Sequence, residues 1–397
     1  MATSPLGPGR PEVLRSMNDR TALSLLIANG PMTRSQLRRA TNLSGPTTSQ
    51  LVFRLRAAGL VDEAGHVPAS SGPNAIAYRA RTETGRGVAL QMLPKSALAC
   101  VVDASQGEFP AVEVPLAQDR SAGKDVATAI AAACAAADQE RASIVAVSIG
   151  VPSAVTPGRN HLNFVGPLPG WSRRDVKAGL EEQLKLTVLM DNDANLAAYA
   201  EHRARLTEGD FALLWEGEGL RVASVVDGQV QPGAMGGAGE IGYLAWPGGS
   251  VPGGKPLTLQ DEAGSTAVTR LVRSYIPAIR TYGAALKALA QGDLRGAPLE
   301  ELAARTAEVL VPALAVLDPP RVILSGPTGT AGGTELARLV QTHLQRSTRW
   351  GVPILASAVK DNPVLHGAAL ALSVHLAERL LHAVDTLAER PGFGATE

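Results

Sequence analysis

TRSQLRRATNLSGPTTSQLVFRLRAAGLV, residues 33–61, is the stretch from which the rest of the chain is best read. Its apolar spacing predicts a short helix over 33–41, a tight turn at Asn42-Leu43-Ser44, and a second helix over about 46–58. Asn42 tolerates the left-handed backbone that such a corner needs, Leu43 plugs the angle between the helices, and Ser44 caps the second one. Pro46 falls in the first turn, where a missing N–H costs nothing. Leu37, Leu43, Leu51 and Leu55 are expected to face inward. That leaves Arg34, Arg38, Arg39, Thr47, Ser49, Gln50 and Arg54 outside.

Before this stretch, residues 17–29 predict a helix with Leu23, Leu26 and Ile27 as its buried stripe. Gly59-Leu60-Val61 opens a hairpin whose return strand lies near 75–80, with SSGPN (70–74) as its tip or as the link onward. Three helices followed by a hairpin read as a winged helix-turn-helix, whose partner is a double-stranded DNA operator. Arg34, Ser44, Thr47, Thr48, Ser49, Gln50 and Arg54 are the set expected to reach phosphates and base edges. Arg79 and Arg81 near the wing read equally as phosphate contacts or as solvated charges. The alternative, a three-helix packing module, would not need so basic an outer face.

The chain has 397 residues, too many for one ordinary core, so two or three domains are expected. Lysine plus arginine equals aspartate plus glutamate at 37 each, so the whole protein is no polycation. Between Arg10 and Ala58, however, eight arginines face only Glu12 and Asp19. Such a local basic patch on a neutral protein suits a dedicated DNA-binding module with a separate body. Cys100 and Cys134 stand far apart in apolar surroundings, which supports neither a disulfide framework nor a cysteine metal site. The opening residues lack the apolar core of a secretory signal, and no apolar run approaches the ~18 residues of a membrane span, so a cytoplasmic protein with no membrane partner is expected.

The expected organisation is a disordered Pro/Gly/Ser tail over 1–10, the winged module over 11–82, and a body over 83–397. The body opens on a hairpin around Leu93-Pro94-Lys95-Ser96 and continues as strands alternating with helices, including one helical region from 257 to about 291. This pattern predicts an α/β body with mixed sheets in two lobes, their boundary near 190–205, and a C-terminal helix packing back.

Seven strings, in this order, resemble the ROK family: LSGPTTSQLV, GVPSAVTPG, PLPGW, DNDANLAAYAE, VVDGQVQPGAMGGAGEIGY, LDPPRVILSG and HGAALAL. That family groups sugar-responsive repressors with sugar kinases, and the resemblance implies an actin-like ATPase (sugar-kinase-like) fold for the body. In DNDANLAAYAE a strand delivers Asn192 and Asp193 to its carboxyl end, where α/β ligands usually bind. The resemblance makes them contacts to adjacent sugar hydroxyls, with Asp193 matching the base of the family kinases. Asp193 reads equally as a cap of the helix that begins at Ala194.

In GGAGEIGY the small residues let the backbone pass close to a ligand, and Glu240 matches the family's sugar-binding glutamate. Tyr243 stands where the family usually has a histidine that serves both sugar and zinc, and no cysteines follow, so no metal site is expected. The second sugar glutamate falls near Gln260, beside Asp261 and Glu262, and Pro167 replaces a usual asparagine. Tyr243 and Trp246 either make the pocket more aromatic or belong to the core. The expected ligand set is therefore Asn192, Asp193, Glu240, Tyr243 and Gln260.

The family's phosphate-binding hairpins are altered too. The first reads LQMLPKSA, with Gln91 in the acid's place and Leu93-Pro94 in the glycines'. The second reads WEGEGLRVA, with Glu216 and Glu218 where phosphates would be repelled. LSGPTGTAGG keeps glycines of the nucleotide side. The chain is thus expected to be a regulator, most simply a repressor, without kinase activity or cofactor. It is expected to sense a small molecule, a sugar or sugar derivative, as a homodimer or homotetramer, the alternatives being a regulator with a non-sugar effector or with none, or an ATP-dependent sugar kinase.

Overall fold

The computed structural model describes residues 11–68, 74–107, 109–158, 161–163, 168–206, 208–250 and 256–388. The first layer is the helical module: α1 (Pro11–Asn29), β1 (Met32–Thr33), α2 (Arg34–Thr41), α3 (Gly45–Ala57), β2 (Val61–Val67) and β3 (Ala75–Ala80). Thr33 caps α2 through a reciprocal capping box with Gln36. Asn42 ends it at φ 56°, and Ser44 accepts from Thr47 N to start α3. Leu37, Leu51 and Leu55 are buried, and Leu43 packs against them. The three strands pair in the order β1-β3-β2, which makes β2–β3 the wing. Most of SSGPN lies outside the described residues.

The first lobe contains β4 (Arg86–Met92), β5 (Ser96–Val102), β6 (Val112–Pro115), α4 (Ala122–Ala136), β7 (Ile144–Val151), β8 (Ala154–Val155), β9 (Leu162–Asn163), α5 (Val176–Leu184), β10 (Thr187–Asn192) and α6 (Asp193–Ala204). Its sheet runs β10-β7-β4-β5-β6, with β10, β7 and β4 parallel and the hairpin strands antiparallel. The second lobe contains β11 (Phe211–Glu216), β12 (Leu220–Val226), β13 (Gln229–Val230), β14 (Ala245–Ser250), β15 (Pro256–Thr258), α7 (Leu259–Ala263), α8 (Ser265–Tyr275), α9 (Tyr282–Gln291), α10 (Ala297–Leu317), β16 (Val322–Ser325), α11 (Gly326–Ser347) and β17 (Ile354–Ala356). Its sheet, β13-β12-β11-β16-β17, repeats the strand order of the first. Each lobe is a three-strand meander extended by two parallel crossover strands. Ligand-binding clefts in such sheets form beyond the carboxyl ends of the parallel strands.

Two helical expectations change. The region 257–291 is not one helix: Gly264 separates α7 from α8, Pro277 forces Ile276 out of the helical region, and Thr281 caps a new start at α9. The Gly-rich run after β16, which a sequence reading takes as a turn leading to a helix near Thr334, is itself helical, so α11 starts at Gly326 with a kink at Gly333. The Gly/Pro-rich stretch after Tyr243 holds β14 and β15, which pair antiparallel.

The last helix, α12 (Pro363–Ala388), ties the layers together. It packs on α6, β4 and β7 of the first lobe and on α1 of the helical module. Leu23 and Leu26 of α1 therefore share one apolar core with Leu376, Leu381 and Val384 of α12. Arg20 closes this contact, with Nη1 2.9 Å from Asp385 and Nη2 2.5 Å from Glu378. Contrary to the sequence expectation, residues 363–386 are long and apolar enough to cross a membrane. Their packing on three elements of the body and on α1 identifies α12 as a core helix.

Candidate functional site

The molecule presents two polar surfaces, the first of them the outer face of α2 and α3. Arg34, Arg38, Arg39, Ser44, Ser49 and Gln50 are exposed there, and Thr47 is half-buried with its hydroxyl 2.7 Å from that of Ser44. Among the described residues, Arg38 and Arg39 make no ion pair. Arg34 and Arg56 lie over the buried Tyr78 ring at 5.2 and 5.8 Å, which fixes both helices to the wing strand β3. Arg79 and Arg81 are engaged in ion pairs at the wing base: Arg81 lies 3.1 Å from Asp62, and Arg79 3.9 Å from Glu83.

Two members of the expected DNA-contact set are elsewhere. Thr48 is buried, and its hydroxyl donates to the Ser44 carbonyl at 2.9 Å. Arg54 turns toward α1, donating from Nε at 2.9 Å and Nη2 at 2.5 Å to the carboxylate of Asp19. Burial raises the Asp19 pKa while Arg54 opposes it, so the pair compensates a charge inside the module.

The second surface is the floor of the cleft between the lobes. Asn192, expected to hold a hydroxyl, is 1 % exposed and caps α6. Its Oδ1 accepts from Ala194 N and Asn195 N, and its Nδ2 donates to the Ser153 carbonyl at 3.2 Å. Asp193 also accepts from Ala194 N. Burial pushes the Asp193 pKa up to about 6, with the Arg221 guanidinium pulling it back. Asp191 accepts from Asn192 N and from Asn195 Nδ2 at 2.9 Å, and burial raises its pKa as well.

Arg221, on β12, is the residue that sequence reading passed over. It is buried, pairs with Glu240, and feels Asp193, Asp191 and Tyr243 electrostatically. The signal was a single charged residue in the largely apolar strand LRVASVV.

The glycines before Glu240 serve a different purpose from the expected one. Gly236 and Gly239 have φ of +72° and +73°, and a Cβ on either would strike a carbonyl oxygen, that of Val155 or of Val222. They let this loop pass between the backbones of the two lobes, which delivers Glu240 to Arg221. Gln260 is also committed: its Oε1 accepts from Leu220 N and its Nε2 donates to the Glu218 carbonyl, both at 2.7 Å. Neighbouring Asp261 caps α7 with Thr258, and Glu262 pairs with Arg305. Tyr243 is exposed, Trp246 packs on the second lobe's core, and Pro167 lies outside the described residues.

Above this floor opens a cleft of about 690 Å³, lined by Gln91, Leu93 and Pro94 from the first lobe and by Trp215, Tyr282 and Leu286 from the second. The backbone donors at its two hairpin corners are used internally. Leu93 N donates to Ser96 O at 2.9 Å, and Gly217 N donates to Gly219 O at 3.2 Å. Arg120 donates to the Pro94 carbonyl and pairs with buried Asp125, which also accepts from Trp171 Nε1. Glu216, expected to face phosphates, is buried beneath α10 instead and accepts from Thr306 at 2.8 Å. Burial pushes its pKa up to about 7. Of the two glutamates, Glu218 alone lines the cleft.

Fold and site together define a two-lobed, sugar-kinase-like body carrying an amino-terminal winged helix-turn-helix. The ROK family profile matches residues 96–374, and that of the MarR family matches residues 17–67. The chain belongs to the ROK family. It is 30 % identical over 138 residues to a glucokinase of Halalkalibacterium halodurans, covering 34 % of this chain and 42 % of that one. A xylose repressor of Bacillus spizizenii is 21 % identical over 243 residues, covering 58 % and 61 %. The chain thus spans less than two thirds of the length of either curated relative. A solved ROK family transcriptional regulator, a homolog of E. coli MLC protein, superposes with TM-score 0.68 at 16 % identity, covering 94 % of this chain and 99 % of that one.

Proposed function

We propose that this protein is a DNA-binding transcriptional regulator, acting as a repressor, whose body senses a small molecule and does not transfer phosphate. The observation that carries the reading is the solvent-facing polar set Arg38, Arg39, Ser49 and Gln50 around a capped second helix, whose side chains make no hydrogen bond or ion pair among the described residues. Ser49 and Gln50 reach base edges in the major groove, Arg34, Arg38 and Arg39 reach phosphates, and a symmetric dimer or tetramer presents two heads to a palindrome. Kinship with a xylose repressor supports repression under the control of an effector.

The path from cleft to head is α12. It begins at Pro363 on the cleft wall and ends against α1, where Asp385 holds Arg20. A ligand that favours one closure state of the lobes moves α12 relative to the module and so changes the spacing of paired heads. Kinase activity is disfavoured by the hairpin corners, because phosphate cradles need free backbone N–H groups and Pro94 has none.

Two measurements test this reading. Selection from a random duplex library should enrich a palindromic sequence, and incubation with Mg-ATP and a hexose panel should yield no sugar phosphate. Failure of any duplex to be retained at low salt, or multiple-turnover phosphorylation, overturns it.

A further inference from the structure

We propose that Phe53 is a specificity-determining residue of the second helix, its ring seated on the 5-methyl group of a thymine in the major groove, beside the base pair that Gln50 reads. This rests on the regulator reading above and names part of what the operator must contain.

The placement follows from α3 itself. Thr48, Leu51, Val52 and Leu55 form its buried stripe, and at about 3.6 residues per turn this leaves Ser49, Gln50 and Phe53 together on the opposite side. Phe53 follows Ser49 by four residues and Gln50 by three, so the three side chains are neighbours on one face. Its ring is 66 % exposed, more than any other large apolar side chain of the helical module among the described residues. It stays outside the apolar cluster that holds Leu51 and Leu55. An exposed apolar side chain is ordinary on a protein surface. What sets Phe53 apart is its place, at the centre of the face assigned to bases.

The surroundings select the partner. Neither α2 nor α3 contains an acidic residue, and Arg38 and Arg39 make no ion pair among the described residues. A second copy of this chain, docked by two-fold symmetry through the same face, would bring those arginines against their own counterparts, which like-charge repulsion opposes. A duplex instead brings phosphates to the arginines and, in its major groove, an apolar feature for the ring, the thymine methyl. Gln50 matches adenine in the same groove, its amide nitrogen and oxygen facing adenine N7 and N6. Three residues advance the helix by about 4.5 Å, close to the ~3.4 Å between successive bases on a strand. Gln50 and Phe53 therefore meet adjacent base pairs, and the pair of side chains selects an A·T-containing step in each half-site.

The test uses the full-length chain and the duplex enriched from the random library, with binding read by fluorescence anisotropy. Each thymine, together with its symmetry mate, is replaced in turn by deoxyuridine, which keeps base pairing and removes only the 5-methyl group. At one thymine position the wild-type protein is expected to lose about fourfold in affinity for each methyl removed, and Phe53→Ala to lose none there. Phe53→Ala itself should bind the thymine duplex about tenfold more weakly than wild type without loss of thermal stability. Phe53→Leu, which keeps an apolar contact, should retain the methyl preference. A scan that is flat for the wild-type protein, or a sensitive position that stays equally sensitive in Phe53→Ala, overturns the proposal. So does a Phe53→Ala protein that keeps full affinity but sediments as a smaller species, which assigns the ring to a second copy. Those results leave the regulator reading standing, because the duplex is still bound. No retention of any duplex at low salt defeats the regulator reading, and this proposal with it.

Discussion

The outer face of α2 and α3 and the floor of the cleft are built from the same kinds of side chain, yet their polar groups end up in different places. On the helical face Arg38, Arg39, Ser49 and Gln50 stand in solvent. On the floor Asn192, Asp191, Arg221, Glu240 and Gln260 bond to one another or to nearby backbone. A buried polar group must find a partner, and where the protein supplies it, little capacity remains for an outside molecule. Resemblance in residue type thus marks a place in the fold, while the availability of its hydrogen bonds decides what the place can bind.

Removing one partner on the floor should have the largest effect. Glu240→Ala leaves Arg221 buried beside carboxyls that burial already pushes toward protonation, and should destabilise the fold by about 3–5 kcal/mol in urea unfolding. A loss below about 1 kcal/mol would mean that the floor is open to water, as an exposed ion pair is.

Glu216 offers a second test through pH. Its pKa is about 7 in the fold against an ordinary 4.5, so below pH 4.5 it carries a proton in both states. Between these values the unfolded chain ionises while the fold keeps the proton, so stability falls as pH rises, by on the order of 3 kcal/mol in all. Glu216→Gln keeps the Thr306 contact and should remove that slope; an unchanged pH profile would place Glu216 in water.

The helical face should behave in the opposite manner. Gln50→Ala is expected to weaken duplex binding by about 1–3 kcal/mol while changing stability by less than about 0.5 kcal/mol, as anisotropy and thermal unfolding would report. Equal losses in both would assign Gln50 to packing. The smallest effect is expected at Asn192→Ala, where losing the α6 cap should cost about 1 kcal/mol in unfolding free energy without altering duplex affinity.

Local features were the legible ones. Thr33, Asn42, Ser44 and Pro46 announce a helix, its corner and the next helix within one short stretch, because caps and turns are decided by near neighbours. Arg54 misled because its partner Asp19 lies 35 residues upstream on another helix. Gln260 misled for the same reason, its acceptor bond reaching 40 residues back to Leu220. The family strings located the cleft floor, but Arg221 and Glu240 meet only when β12 and the Gly236–Gly239 loop pack, a contact that no periodicity records. The break between α8 and α9 was legible in principle, since Pro277 and Thr281 are ordinary stop and start signals inside an apolar run that reads as continuous helix.

The central claim is that one polar surface is kept free for a duplex while the polar groups of the other are largely bonded within the protein. Its most direct test is fluorescence anisotropy of a library-selected duplex titrated with the full-length chain across a series of salt concentrations. The account predicts saturable binding whose logarithmic affinity falls with the logarithm of salt by about 0.9 for each phosphate neutralised. Absence of binding at low salt, or affinity indifferent to salt, would contradict it.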